Sequence, residues 1–398
     1  MITIVATSDL HIDGGKWGGR NPDTGRLRAV ESTYAIWMDI CRRAVEEKAV
    51  LVLAGDLFFD GHPRPEHVEM IADGLRLVTG AGGEVVVVRG NHDPKHLPFG
   101  ERDPLSRYAD IAGVHVVLAP RIVRLGVGLS VVGLPWPSAY DYLEPGEAEG
   151  LSLDEIDLLV AARATNALED LVDEASGFGD PIVVATHCTV DAAMLSSPRR
   201  GSEVVLGKLL HEPVLSLEAF DRDPVALAIA GHIHRGQRLG ERFYYCGGPD
   251  RFDFGEEDQD KGYLLARIDG TGAAVVERVP TAARQFVTVE LDAATSLATL
   301  RFAPGEIVRV RLSHDATLSE SEIRRHIVAA GGELATLVKL PAPAVERSRH
   351  ALEESVGELD GLRHWLELAG EGGPDSLDEL LAEAELLIDD VTSDGGVG

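Results

Sequence analysis

The chain is poor in cysteine, in aromatic residues and in basic charge, and it has no long apolar run. Three cysteines, Cys41, Cys188 and Cys246, are scattered through 398 residues. An odd, widely spaced set supplies neither a disulfide framework nor the paired spacing of a zinc finger, and it fits a reducing compartment. Cys188 adjoins a histidine, but a small buried thiol is the simpler reading. No stretch approaches the roughly 18 consecutive apolar residues of a membrane span. The opening MITIVATSDLH has neither a basic leader nor a small-residue cleavage site, so the expected location is cytoplasmic. Lysine and arginine total 37 against 66 acids, a formal charge of −29. That shortage argues against gripping nucleic acid through bulk charge, because neutralising Lys and Arg dominate phosphate binding.

What is present is an ordinary globular composition, 44% hydrophobic and 26% charged, in a chain long enough for two or three domains. Short β-branched runs recur: ITIVAT, VLVLAG, EVVVVRG, LSVVGLPW, PIVVATH and VALAIAG. Near-continuous apolar runs of this length predict strands buried on both faces, as in a layered α/β domain. Between the first two, Val30, Tyr34, Trp37, Cys41 and Ala44 recur at helical spacing. Ser152 and Glu155 form a capping-box pattern that opens a helix to about Val172. This layered region is expected to span 1–280. From 281 to 340, QFVTVEL, IVRVRLS and SESEIRRHIVAAGG read as a small α+β unit, after which LPAPA punctuates the chain. Residues 345–393 read as acidic helices with one apolar stripe through Leu352, Val356, Leu359, Leu362 and Leu366. From 341 onward, fifteen acids face three arginines, a net of −12.

The strand ends carry the chemistry. Asp9 and His11 stand at i and i+2 after the first run and point the same way if the chain stays extended. Asp56 follows VLVLAG; Asn91, His92 and Asp93 follow VVVVRG; His187 ends IVVATH; His232 and His234 follow ALAIAG. In open α/β sheets ligands collect at the carboxyl edge of the strands. Carboxylates, imidazoles and one amide oxygen, without a thiolate, suit divalent ions such as manganese, iron or magnesium. Two ions about 3.5–4 Å apart activate water and clamp a phosphate during in-line displacement.

The series D-x-H, GD, GNHD, H, GHxH resembles the signature of the calcineurin-like metallophosphoesterases. Within them, AGHIHRGQ, YYCGGPDRFDFGEEDQDKGY and VPTAARQFVTVEL are similar to the SbcD type, bacterial nuclease subunits of double-strand-break repair. The resemblance covers roughly 1–300. It implies an α/β fold, a layered β-sandwich flanked by helices, with a small α+β capping domain and a C-terminal helical segment. It also implies two divalent metal ions, manganese foremost. Asp9, His11, Asp56 and His234 would hold one, and Asp56, Asn91, His187 and His232 the other. His92 would be the catalytic histidine that is not a ligand, and Asp93 would orient its loop.

The implied activity is that of a hydrolase, a DNA exonuclease with endonuclease action as a second mode, used in DNA repair and recombination. The implied partners are DNA, an SbcC-like coiled-coil ATPase and a second copy in a homodimer, with no membrane. Residues 345–393 would dock on the ATPase or fold back on the capping domain. Two other readings stand beside this one: a stand-alone phosphodiesterase of small or cyclic nucleotides, and a non-catalytic scaffold subunit. One position departs from the pattern. Relatives often carry an acid or histidine three residues after the bridging aspartate, where this chain has Phe59. Either Asp60 or His62 does that work, or the support is missing. Arg20, Arg26, Arg199, Arg200 and Arg235 are candidates to line a substrate groove.

Overall fold

Alternate side chains of the central strands enter different cores, which explains why the runs lack a polar face. The structure is a computed structural model describing residues 1–15, 17–93, 103–193 and 212–341. Among these residues β1 (Ile2–Thr7), β2 (Val50–Ala54), β3 (Val85–Val88) and β4 (Val114–Val117) lie parallel. Strand β13 (Gly262–Ile268) returns antiparallel on β1 and β14 (Ala274–Pro280) follows it, giving the order β14-β13-β1-β2-β3-β4. The second six-stranded sheet contains β5 (Arg121–Leu125), β6 (Leu129–Leu134), β7 (Ile182–His187) and β10 (Val225–Gly231). With β11 (Gln237–Leu239) and β12 (Phe243–Tyr245) its order is β11-β12-β10-β7-β6-β5.

Ile4, Ala6, Val50, Val52, Val86 and Val88 of the first sheet meet Val131, Val183, Ala185, Leu227 and Ile229 of the second in one shared core. The intervening residues Val5, Leu51, Leu53, Val85 and Val87 pack outward with Trp37, Ile40 and Leu75, which lie on α1 (Arg28–Glu47) and α2 (Pro65–Gly80). On the other side Val132, Val184, Ala228 and Ala230 pack with Ala164 and Leu168 of α4 (Leu153–Ser176), which follows the single turn α3 (Ala139–Tyr142). The fold is therefore a mixed α/β sandwich of two sheets between helices. Ser152 and Glu155 cap α4 reciprocally, and the helix runs one turn beyond the expected Val172. A two-stranded pair, β8 (Thr189–Val190) and β9 (Val214–Leu215), lies beyond β7.

After β14, β15 (Phe286–Leu291), β16 (Ile307–Leu312) and β17 (Glu333–Lys339) form a parallel sheet with α5 (Glu320–Ala329). It has its own core of Leu291, Val308, Val310, Ile323 and Ile327. Phe254, Phe286 and Ile307 pack with Trp17 and join it to the sandwich, so that Met1–Leu340 is one compact unit. The expected helices of 345–393 lie outside the described residues. All three cysteines are free and buried. No helix among the described residues is long and apolar enough to cross a membrane.

Candidate metal centre

Five strands, three from one sheet and two from the other, deliver their C-terminal ends to one place. β1 leads to Asp9 and His11, β2 to Asp56, β3 to Asn91 and His92, β7 ends at His187, and β10 leads to His232 and His234. Donor atoms of Asp9, His11 and His234 lie within 4.8 Å of one another, as do those of Asp9, Asp56 and His187. Asp9 belongs to both groups, and Asp56 Oδ2 links them as well, 3.6 Å from His11 Nε2 and 3.4 Å from His187 Nε2. Asn91 Oδ1 stands 2.9 Å from His187 Nε2 and 3.0 Å from His232 Nδ1. All seven residues expected to hold metal thus share one site.

The backbone is bent to achieve this. Asp9, His11, Asp56 and His232 have φ of 51°, 40°, 54° and 92°, a region that side chains other than glycine rarely adopt. Close approach explains the glycine before Asn91, since a Cβ on Gly90 would collide with the Asp56 carboxylate. Asp93 accepts hydrogen bonds from the amides of Gly90 (2.8 Å), Asp56 (3.0 Å) and Leu57 (3.0 Å), tying the β3 loop to the β2 loop.

The outer nitrogen of each imidazole fixes what its inner nitrogen can do. His11 Nδ1 donates to Phe58 O at 3.1 Å and His187 Nδ1 donates to Ala54 O at 2.7 Å. His234 Nδ1 faces Glu256 Oε1 at 2.6 Å, and His232 Nε2 faces Glu212 Oε2 at 3.2 Å. In the neutral rings the inward nitrogens are therefore lone pairs. His11 and His234 then face each other through Nε2 at 3.2 Å, and two further lone pairs meet the Asn91 oxygen. Such a cluster of acceptors is repulsive unless cations or protons sit among them. This nitrogen and oxygen donor set fits borderline divalent ions.

The proton affinities tell the same story. Burial opposes charge on His187, but the Asp56 carboxylate lifts its pKa to about 9. Burial likewise opposes charge on Asp56, and His187 and His11 together hold it well below the usual carboxylate range. His234 is disfavoured by burial and raised to about 9 by Glu256. His11 is lowered to about 4 by burial, only partly offset by Asp56. Burial, then the nearby Asp56 charge, pushes Asp93 up to about 7 against its backbone donors.

His92 sits at the rim and is exposed. Its Nδ1 donates to the Phe59 carbonyl at 2.9 Å, its ring stacks on the Phe59 ring at 5.3 Å and 22°, and its amide donates to Asp56 Oδ1 at 2.9 Å. The residue standing in the departed position thus contacts His92 through its main chain. Asp60 and His62 turn to each other, His62 N donating to Asp60 Oδ1 at 3.0 Å.

Several neighbours of the candidate site escaped the sequence reading. Glu256 and Glu212 hold His234 and His232, buried Lys261 pairs with Glu256 at 2.9 Å, and Trp136 lies 4.7 Å from the His232 ring. Trp136 stands at the end of LSVVGLPW, and Glu256 and Lys261 lie in YYCGGPDRFDFGEEDQDKGY, but neither stretch singled them out. Arg20 and Arg26 line a cavity of about 510 Å³ beside Phe59, but Asp13, Asp60 and Glu66 line it too. Arg235 is exposed, and Arg199 and Arg200 lie outside the described residues.

Residues 2–236 match the calcineurin-like phosphoesterases. The chain belongs to that family. Its members use two divalent metals, and this phosphoesterase has a candidate site for metal at the edge described. It is similar to a dimetal phosphatase from Danio rerio at 14% identity, over 69% of this chain and 98% of that one, with a TM-score of 0.39. It is also similar to GAP50, described as the anchor in the inner membrane complex of Plasmodium, at 14% identity over 86% and 98%, with a TM-score of 0.41.

Proposed function

We propose that this phosphoesterase is a DNA nuclease, an exonuclease with endonuclease action as a second mode, working with an SbcC-like coiled-coil ATPase as a homodimer. Asp9, His11, Asp56 and His234 would hold one ion and Asp56, Asn91, His187 and His232 the second, with manganese the first choice. When bound, the ions supply Lewis acidity that polarises the phosphodiester and makes water nucleophilic. His92, outside the ligand set and open to solvent, stabilises charge on the phosphoryl group or gives a proton to the leaving sugar oxygen. Asp93 keeps the Asn91–His92 loop in register with Asp56.

One observation carries the preference for DNA over small nucleotides. The segment on which the SbcD resemblance rests is part of the metal centre: Glu256 holds His234, and Arg251 donates to the carbonyls of Gln259 (2.6 Å) and Arg284 (2.9 Å). Asp250 pairs with Arg284 at 2.9 Å, immediately before β15. The capping unit is thereby fastened to the catalytic edge, an arrangement a small-nucleotide enzyme has no need of. The formal charge is compatible with this reading, because bound cations offset the site carboxylates and the ATPase can supply DNA-binding surface. Residues 345–393 are its proposed docking segment.

The test is hydrolysis of linear duplex DNA, a cyclic nucleotide and bis(p-nitrophenyl) phosphate by the manganese-loaded chain, with and without ATPase and ATP. DNA degradation that His92→Ala abolishes while metal stays bound supports the proposal. Cleavage of the cyclic nucleotide with DNA spared would make it a small-molecule phosphodiesterase. Bound metal with no turnover of any substrate would make it a scaffold.

A further inference from the structure

We propose that Asp13 is a positioning residue for His92 and acts through the main chain of Phe59. The proposal rests on the reading of His92 as the group that works on the phosphoester. With phenylalanine where relatives place an acid or histidine, the side chain at 59 offers no hydrogen-bond acceptor. The acceptor for His92 Nδ1 is the Phe59 carbonyl, so the angle of one peptide plane decides where the imidazole points.

Asp13 controls that plane. Its Oδ1 accepts from Phe59 N at 2.6 Å and its Oδ2 accepts from Asp60 N at 3.3 Å. The Phe59 carbonyl and the Asp60 N–H belong to the same peptide unit, and in a trans peptide they point in opposite directions. Holding the N–H on the Asp13 side therefore aims the carbonyl away from Asp13 and toward His92. Packing alone does not fix this segment, since Phe59 is 54% exposed. The β2 loop is in effect divided between two carboxylates. Asp93 holds the amides of residues 56 to 58 on the metal side, and Asp13 holds those of 59 and 60 on the His92 side. Asp13 lies two residues beyond His11, so the turn that delivers a ligand also delivers the support.

The test uses the full chain loaded with manganese, with bis(p-nitrophenyl) phosphate as substrate and metal content measured in parallel. Asp13→Ala should lower kcat about tenfold to a hundredfold, the scale expected when a catalytic group is misplaced by an ångström or less. KM and metal content should stay as in the parent chain. Asp13→Asn retains one acceptor and should fall between the two, and it carries the test if the alanine variant does not fold. In the double variant Asp13→Ala/His92→Ala the loss should equal that of His92→Ala alone. Unchanged kcat, loss of metal in step with activity, or additive losses in the double variant would each overturn the proposal. Indifference of turnover to His92→Ala would instead remove the reading of His92 on which it rests.

Discussion

Replacing Glu256 by glutamine separates what the buried carboxylate does for the fold from what it does for the metal. Glu256 is 3% exposed and serves three partners: His234 Nδ1 at 2.6 Å, Lys261 Nζ at 2.9 Å and Phe252 N at 3.1 Å. Glutamine keeps the volume but offers one acceptor oxygen and no charge. Removing one member of a buried ion pair ordinarily costs about 3–5 kcal/mol. Lys261 retains Gln259 Oε1 at 3.0 Å and His234 O at 3.2 Å, so the lower end applies. A loss of about 3 kcal/mol corresponds to a fall in melting temperature of roughly 4 °C for a unit as large as Met1–Leu340. Second, a carboxylate behind a ligating histidine raises its basicity and fixes its ring, and its loss typically weakens metal affinity about 10–100-fold. Thermal melts of the metal-free chain and chelator competition for manganese measure the two effects independently. Lower stability with parental affinity would reduce Glu256 to a counter-ion for Lys261. Parental values of both would refute the reasoning.

Protons must leave when the metals arrive. With His187 and His234 both raised to about 9 from an ordinary 6.5, the metal-free chain carries both protons at pH 7, and loading should release about two. Titration calorimetry in buffers of different ionisation enthalpy reads this release, and heats independent of buffer would contradict it. The same two groups stabilise the metal-free fold fully below pH 6.5, and their contribution is lost as pH climbs through 9, whereas metal affinity rises over that window. Melting temperatures should therefore fall from pH 6.5 to 9 without manganese and stay nearly level with it, because the gain in affinity offsets the lost stability. At His232, where φ is 92°, glycine should be more stable than alanine by about 1 kcal/mol, the reverse of the order in ordinary backbone. Denaturant unfolding of the metal-free His232→Gly and His232→Ala chains decides it, and the ordinary order would show that the backbone there is unstrained.

The residues that converge on the candidate centre were legible because each ends or follows a largely apolar strand, where a polar side chain stands out. The sandwich was legible for the same reason: burial on both faces removes the polar alternation. The return of β13 antiparallel beside β1 was not, since nothing local in GYLLARI records a partner some 260 residues away. Glu256 and Glu212 stayed hidden for a related reason. Each reaches a histidine about twenty residues from itself, and Glu256 lies in an acidic stretch where no single carboxylate is distinguished. Phe59 was read from its side chain as a gap in the site, whereas its contact with His92 includes the main-chain carbonyl. Side-chain identity carries no information about a carbonyl, so that contact is visible only in three dimensions.

The strained backbone bears on how the centre comes to exist. Residues held at unfavourable φ cost roughly 1–3 kcal/mol each, so the four here together approach the whole stability of a typical domain, about 5–15 kcal/mol. They persist only if their surroundings over-determine them, and the amide of each is captured by another site loop. Asp9 N donates to Gly55 O at 3.0 Å and His11 N to Asp56 O at 3.1 Å. Asp56 N donates to Asp93 Oδ2 at 3.0 Å, and His232 N to Asp9 Oδ1 at 3.0 Å. These bonds run between the β1, β2, β3 and β10 loops, and every one is made by the protein alone. The strands beneath them are buried between two cores and anchor the other end of each loop. The hydrogen bonds that hold the bent loops thus run within the protein, unlike those of a small zinc domain whose folding is the metal-binding event. Removing the metals should cost activity and some melting temperature while the sandwich stays folded, because the free energy that bends these loops comes from the sheets below them.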